Sequence, residues 1–398
     1  MTREIAMHGR NCLKSQQTPQ NISGRNRFFR LREDTSFFLL DSQTVVFCEA
    51  HQKIYALNPS AAFIWCRLEE HDDPDAICGR LAANGMDLDL ATRHVHEAIG
   101  HWLKLGLLNV DPAYFADNDK TTTDQTLLIN GANLSVTICC ESERIVALLT
   151  PFAHFADCNA ARGHVLVVKE SDGLVHVFHN DRRIASCNSL ELAPVIKAHI
   201  TERILAESGP HVVFHAACLV RDQKSVLISG RPGAGKTTLA LRLVADGFAF
   251  GGDDIAMIGP DGRAAGVPFA PAIKPGAWDI AETLRPDLKR YAVCRRPDGK
   301  RVRYLKPENL ARNPPHAVGW IIFIRRKVGA ASLNLIDRVE ALRRLMDASH
   351  AVEGKLDLAK CNALKQMIEN AELFELTYAN LDQASEAIGG LFHRSPLP

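Results

Sequence analysis

From residue 36 the chain sets short apolar runs between turn residues: SFFLL, TVVFCEA and KIYALN, broken at Asp41-Ser42 and His51-Gln52. Runs of this length between turn pairs predict a small three-stranded meander. Pro59 then opens a helix with Asn58 as its cap, and Ala62, Phe63, Trp65, Cys66 and Leu68 fall on one face. Two more helices are expected near 73–84 and 89–105. Strands followed by three helices within one short segment predict a winged-helix-like module over 36–110. The polar, Pro-containing stretch VDPAYFADNDKTTTDQ reads as a linker over about 111–125. Over 126–210, alternating runs such as LSVTICC, HVLVVKE and LVHVFHN predict a mostly antiparallel sheet, closed by a helix near 190–207.

The pattern changes at HVVFHAACLVRDQKSVLISG, which reads as a hairpin with its turn at 221–224. Counting back from Val220 opposite Ser225 sets His215 opposite Gly230. There begins GRPGAGKTT, with Gly230, Gly235, Lys236 and Thr237 meeting the GxxxxGK[ST] spacing between a buried strand and a strong helix former. Gly230, Arg231, Pro232, Gly233, Ala234, Gly235, Lys236, Thr237 and Thr238 are the expected nucleotide-binding residues. Glycines let successive backbone N–H groups converge on a phosphate at a helix N-terminus, Lys236 supplies a point charge, and the Thr237 hydroxyl suits Mg²⁺. ATP and Mg²⁺ are the expected cofactors.

Downstream, FGGDD sets Asp253 and Asp254 at the end of a short strand. Adjacent carboxylates on extended chain point to opposite sides. One can hold the metal while the other accepts a proton from an incoming hydroxyl. Lys274, after the run PAI, and Arg301 and Arg303, alternating after the Asp298-Gly299 turn, are candidate substrate or phosphate contacts.

Composition narrows the classes. Charged residues are 23% and the formal net charge is +1, so bulk charge gives no argument for nucleic acid or membrane. No apolar run reaches membrane-spanning length, and a cytoplasmic setting with reduced cysteines is expected. Residues 1–32 hold seven cations against one acid and read as a disordered basic arm, able to contact something acidic. A metal role for His94, His96 and His101 is disfavoured, because 94 and 96 face different ways. A nucleic-acid role for the winged helix is disfavoured by Glu69, Glu70, Asp72, Asp73 and Asp75 along its neighbour.

Two resemblances follow from these residues. VVFCEAHQKIYALNPSAAFIWCRLE with the closing AIGHWLKLGLLNV resembles the PqqD-like family, which implies a module that binds leader peptides of ribosomally made peptides by adding a strand to its sheet. FHAA, GRPGAGKTTLAL and FGGDD in that order resemble the HPr kinase/phosphorylase family over about 211–392. That implies a mixed-sheet P-loop domain of the phosphoenolpyruvate-carboxykinase type, with His215 at the phosphate site. It implies Asp253 as general base and Asp254 as the metal-side or supporting acid. The family's Glu-containing signature after the Asp pair is missing, so phosphate removal and the carrier HPr as acceptor do not carry over.

The expected fold class is therefore α/β in several domains: a PqqD-like winged-helix module, a linker, a β-rich region and a P-loop domain over 211–398. The expected activity is phosphoryl transfer from ATP to a hydroxyl, on a Ser or Thr of a peptide captured by the N-terminal module. A kinase for a small alcohol and a nucleotide switch without efficient transfer are the alternatives. A homo-oligomer is a candidate assembly.

Overall fold

The computed structural model describes residues 28–40, 43–111, 125–131, 134–152, 163–171, 173–180, 182–207, 209, 211–312, 314–350 and 356–392. Residues 1–27 of the expected basic arm and most of the expected linker lie outside the described residues, but the arm's end is not disordered as expected: Phe29–Leu31 is a strand paired with Leu108–Val110. The chain divides into two units, Met1–Tyr114 and Phe115–Pro398.

In the first unit, Thr35–Leu40, Gln43–Cys48 and Lys53–Leu57 form an antiparallel meander in that order. Three helices follow: Pro59–Glu69, Pro74–Ala83 and Leu88–Leu105. Each starts where its sequence dictates, with the side chains of Asn58, Asp73 and Asp87 accepting backbone N–H bonds at the first turn. The third stops at Gly106 in the left-handed region. Buried Trp65 and Trp102 meet edge to face with ring centroids 5.0 Å apart, locking the first helix to the third. Thr35–Leu40 is an edge strand whose Leu39 and Leu40 are 67% and 57% exposed.

The second unit contains two principal sheets. Five strands, Arg182–Cys187, Leu174–His179, Gly163–Ser171, Leu134–Cys140 and Gln125–Gly131, lie side by side in that order, antiparallel except for one parallel pair. Helices Glu143–Leu149 and Leu192–Glu207 cover them. This core does not end at residue 210: Ile196 and Ile200 share it with Ile255, Met257, Val267, Phe269 and Tyr304.

The six-stranded sheet runs Ala249–Gly252, Ala217–Arg221, Lys224–Ser229, Ala317–Arg326, Glu372–Tyr378, Ser332–Leu335. Its three middle strands from Lys224 to Tyr378 are parallel to one another and buried on both faces. Val226, Ile228, Ile322 and Ile324 face helices Lys236–Ala245 and Leu381–Phe392. Leu227, Ile321 and Phe323 face helices Arg338–Asp347 and Leu358–Glu369. The architecture is thus mixed α/β, as the pattern predicts.

One expectation is corrected. Val220 does lie opposite Ser225, and the loop between the strands is the two left-handed residues Asp222 and Gln223. The pairing stops at Ala217, however, so His215 is not opposite Gly230. The strand breaks at His215 because the chain changes sheets there: Val212–Phe214 pairs instead with Ala256–Ile258.

Candidate active site

Strand Lys224–Ser229 runs into residues 230–235, and helix Lys236–Ala245 begins with Gly235 at φ 98°. Glycine is required there: a Cβ would lie 2.8 Å from the Tyr378 hydroxyl. The same hydroxyl donates to the Ala234 carbonyl at 3.0 Å, so the last residue of strand Glu372–Tyr378, two strands away in the sheet, pins the loop. Lys236 is almost wholly buried, and its ammonium donates to the Gly230 carbonyl at 2.7 Å. Burial pushes its pKa down, against the pull of Asp254 and Asp253. Thr238 donates to the Gly235 carbonyl at 2.9 Å, closing the first turn of the helix.

The two acids behave differently. Asp253 is buried, its Oδ2 accepts from the Thr237 hydroxyl at 2.9 Å, and its Oδ1 is buried without a hydrogen bond. Burial, with the neighbouring Asp254 charge, pushes its pKa up. Asp254 turns the other way, with Lys197 Nζ and His215 Nδ1 both 3.0 Å from its carboxylate. Burial alone would raise Asp254, but the Lys197 ammonium and His215 together hold it well below the usual carboxylate range.

The structure thus brings together Lys236, Thr237, Asp253, Asp254 and His215. It also adds Lys197, which sequence reasoning missed. Lys197 lies on helix Leu192–Glu207, in the stripe Ala193, Lys197, Ile200, Ile204 whose other members are buried. A cation in a core stripe was the available signal. Its ammonium also sits over the rings of Phe269 and Tyr304, at 5.4 and 5.9 Å from their centroids. Arg326, at the end of strand Ala317–Arg326, is a second missed cation: it lies over the Tyr378 ring, and its Nε is 3.3 Å from where a Gly235 Cβ would be.

The three further basic candidates separate. Lys274 is exposed and precedes the short helical turn Pro275–Ala277. Arg303 is taken up by Glu282 at 3.1 Å and lies over the Trp278 ring. Arg301 is exposed, two residues along the same strand face.

A divalent cation fits this donor set. Among the described residues no group of three or more His, Cys, Asp or Glu side chains could hold a metal. Mg²⁺ needs no such cage, since it takes one hydroxyl, one carboxylate, phosphate oxygens and water. The orphaned Oδ1 of Asp253 beside the Thr237 hydroxyl supplies the protein's share.

Comparison with known proteins bears on the first unit. Residues 37–108 match the family described as coenzyme PQQ synthesis protein D. They form a PqqD-like domain. Among solved structures, "TbiB1 in Complex with the TbiA(beta) Leader Peptide" is 19% identical, covering 20% of this chain and 93% of that one, with a TM-score of 0.19. The HPr(Ser) kinase/phosphatase from Coxiella burnetii is 13% identical, covering 46% of this chain and 99% of that one, with a TM-score of 0.23. No curated protein matches the chain. No helix of the described residues is long and apolar enough to cross a membrane.

Proposed function

We propose that the protein is an ATP-dependent kinase that phosphorylates a Ser or Thr hydroxyl of a peptide whose leader is held by the PqqD-like domain. The observation that carries this reading is the division of the acid pair. Asp253 is tied to the Thr237 hydroxyl behind the phosphate loop, while Asp254 is tied to His215 and Lys197. A loop that only senses nucleotide needs the first acid and not the second.

Thr237 and Asp253 would hold Mg²⁺, which neutralises charge on the β- and γ-phosphates when bound. Residues 230–236 and the Lys236 ammonium hold the phosphates at the helix N-terminus. The acceptor oxygen attacks the γ-phosphorus as its bond to the β–γ bridging oxygen breaks, and ADP leaves with that electron pair. The Asp254–His215 pair takes the hydroxyl proton, the carboxylate fixing the ring. Lys197 keeps Asp254 ionised and adds positive charge where the transferring group gains negative charge. This assignment inverts the roles that the family resemblance implies for Asp253 and Asp254.

Capture of the leader is supported by the exposed apolar edge Thr35–Leu40. Protein edges are usually guarded by charge or proline, and an unguarded one takes an added strand.

The test is transfer from labelled ATP to peptides encoded beside the gene. Asp254→Asn is expected to lower kcat about 100-fold or more with the Mg²⁺ requirement unchanged. Asp253→Asn is expected to raise the Mg²⁺ concentration needed for half activity. Leu39→Glu should slow transfer only to peptides that carry a leader. Transfer to a small alcohol regardless of the leader would sink the peptide reading, and ATP binding with no acceptor would leave a switch.

A further inference from the structure

Residues 285–306 hold nine cations against two acids, in a chain whose formal net charge is +1. Part of this charge is neutralised locally. Arg285 pairs with Asp287 and Glu308, Lys289 and Arg303 with Glu282, and Arg296 and Lys300 with Asp298. Arg290, Arg295, Arg301 and Lys306 are exposed, and none has an acid within ion-pair distance among the described residues.

Two of these cations oppose each other. Strands Val293–Arg295 and Arg301–Tyr304 are antiparallel, and their register sets Arg295 directly opposite Arg301. Like charges facing across a ladder are unfavourable. Folding does not require them, because the hairpin is anchored by its other face, where Cys294, Val302 and Tyr304 are buried in the core that also contains Ile196 and Phe269. An energetic cost retained on an exposed face calls for a ligand of opposite charge.

We propose that this hairpin is the docking surface for an acidic stretch of the peptide substrate, a reading that rests on the kinase assignment above. The hairpin also reaches the acid pair: Tyr304, at the end of strand Arg301–Tyr304, lies under the Lys197 ammonium at 5.9 Å, and that ammonium is 3.0 Å from Asp254. A peptide whose acidic residues lie along the hairpin would have its hydroxyl carried on a rigid element toward the transferring phosphate. Nucleic acid is disfavoured because no aromatic ring is offered for base stacking. Tyr304 is buried, Tyr291 donates to Asp287, and Trp278 lies under Arg303.

The test uses the full-length protein and a fluorescein-labelled peptide in which one serine is flanked by glutamates. A glutamine version and an oligothymidylate of equal charge are the comparisons, with anisotropy as the readout. The glutamate peptide is expected to bind best and to weaken with added salt, and Arg295→Glu with Arg301→Glu should weaken it about tenfold or more. Arg295→Gln with Arg301→Gln should lose binding while the melting temperature stays level or rises, because the cross-strand repulsion is gone. Equal binding of the two peptides, binding unaltered in the double variants, or tighter binding of the oligonucleotide would each overturn the proposal. A fluorescent ATP analogue separates the two readings. If the wild type fails to bind it, the kinase assignment falls alone; if it binds while glutamate and glutamine peptides do not differ, the docking surface falls alone.

Discussion

At the scale of single residues, the site depends on side chains that are neighbours in space and far apart in the chain. Lys197 meets Asp254 across 57 positions and Tyr378 meets Ala234 across 144. Replacing Lys197 with Met keeps the volume and the apolar stem over Phe269 while removing the charge that holds Asp254 down. Transfer is expected to fall about 10- to 100-fold, with nucleotide affinity little altered, as steady-state kinetics and ATP titration would report. A fall in ATP affinity without a fall in kcat would instead make Lys197 a phosphate ligand. The loop from Gly230 to Thr238 was legible as a motif because the GxxxxGK[ST] spacing lies on consecutive residues. Lys197 and Arg326 were harder to read, because each reaches the site from its own element; the one local trace of Lys197 is a cation in an otherwise apolar helix stripe.

At the scale of elements, the start of the first helix was legible from Asn58 and Pro59. The break at His215 was not, because an apolar run that changes sheets is indistinguishable from one that continues. The hairpin that feeds the phosphate loop shows what such a turn asks for. Asp222 and Gln223 both have positive φ, at 51° and 60°, where glycine is the favoured second residue. Gln223→Gly should raise stability by about 1 kcal/mol, measured by urea unfolding, with transfer unchanged. At Gly252 the opposite holds: a Cβ there would lie 2.4 Å from the Val267 carbonyl oxygen, so the glycine before the acid pair has no tolerable replacement. The motif FGGDD therefore records packing as much as chemistry.

At the scale of the molecule, the β-rich region shares one core with residues 255–304, and helix Leu192–Glu207 joins the two. One face of that helix supplies Lys197. Another carries His199, whose ring meets His179 at a centroid distance of 5.1 Å, while His164 and His179 approach within 3.0 Å of each other. Burial, followed by the charges of His179, Arg203 and His164, pushes the His199 pKa down to about 4 from its ordinary 6.5. The folded state therefore resists a proton that the unfolded chain accepts, so the stability this ring contributes is complete above 6.5 and declines as pH falls from there to about 4. Urea midpoints measured across this window should drop on the acid side, and His199→Leu should flatten the drop. An unchanged slope would assign the acid sensitivity to other groups.

The hydroxyl that links Tyr378 to Ala234 also fixes an order of events during synthesis. The ribosome delivers the phosphate loop long before it delivers the strand that steadies it. Residues 230–236 therefore emerge before the hydroxyl that pins Ala234, and gain that hydrogen bond only after Glu372–Tyr378 has entered the sheet beside Ala317–Arg326. A nascent chain halted before that strand would carry the complete GxxxxGK[ST] motif and lack the hydrogen bond that steadies its loop.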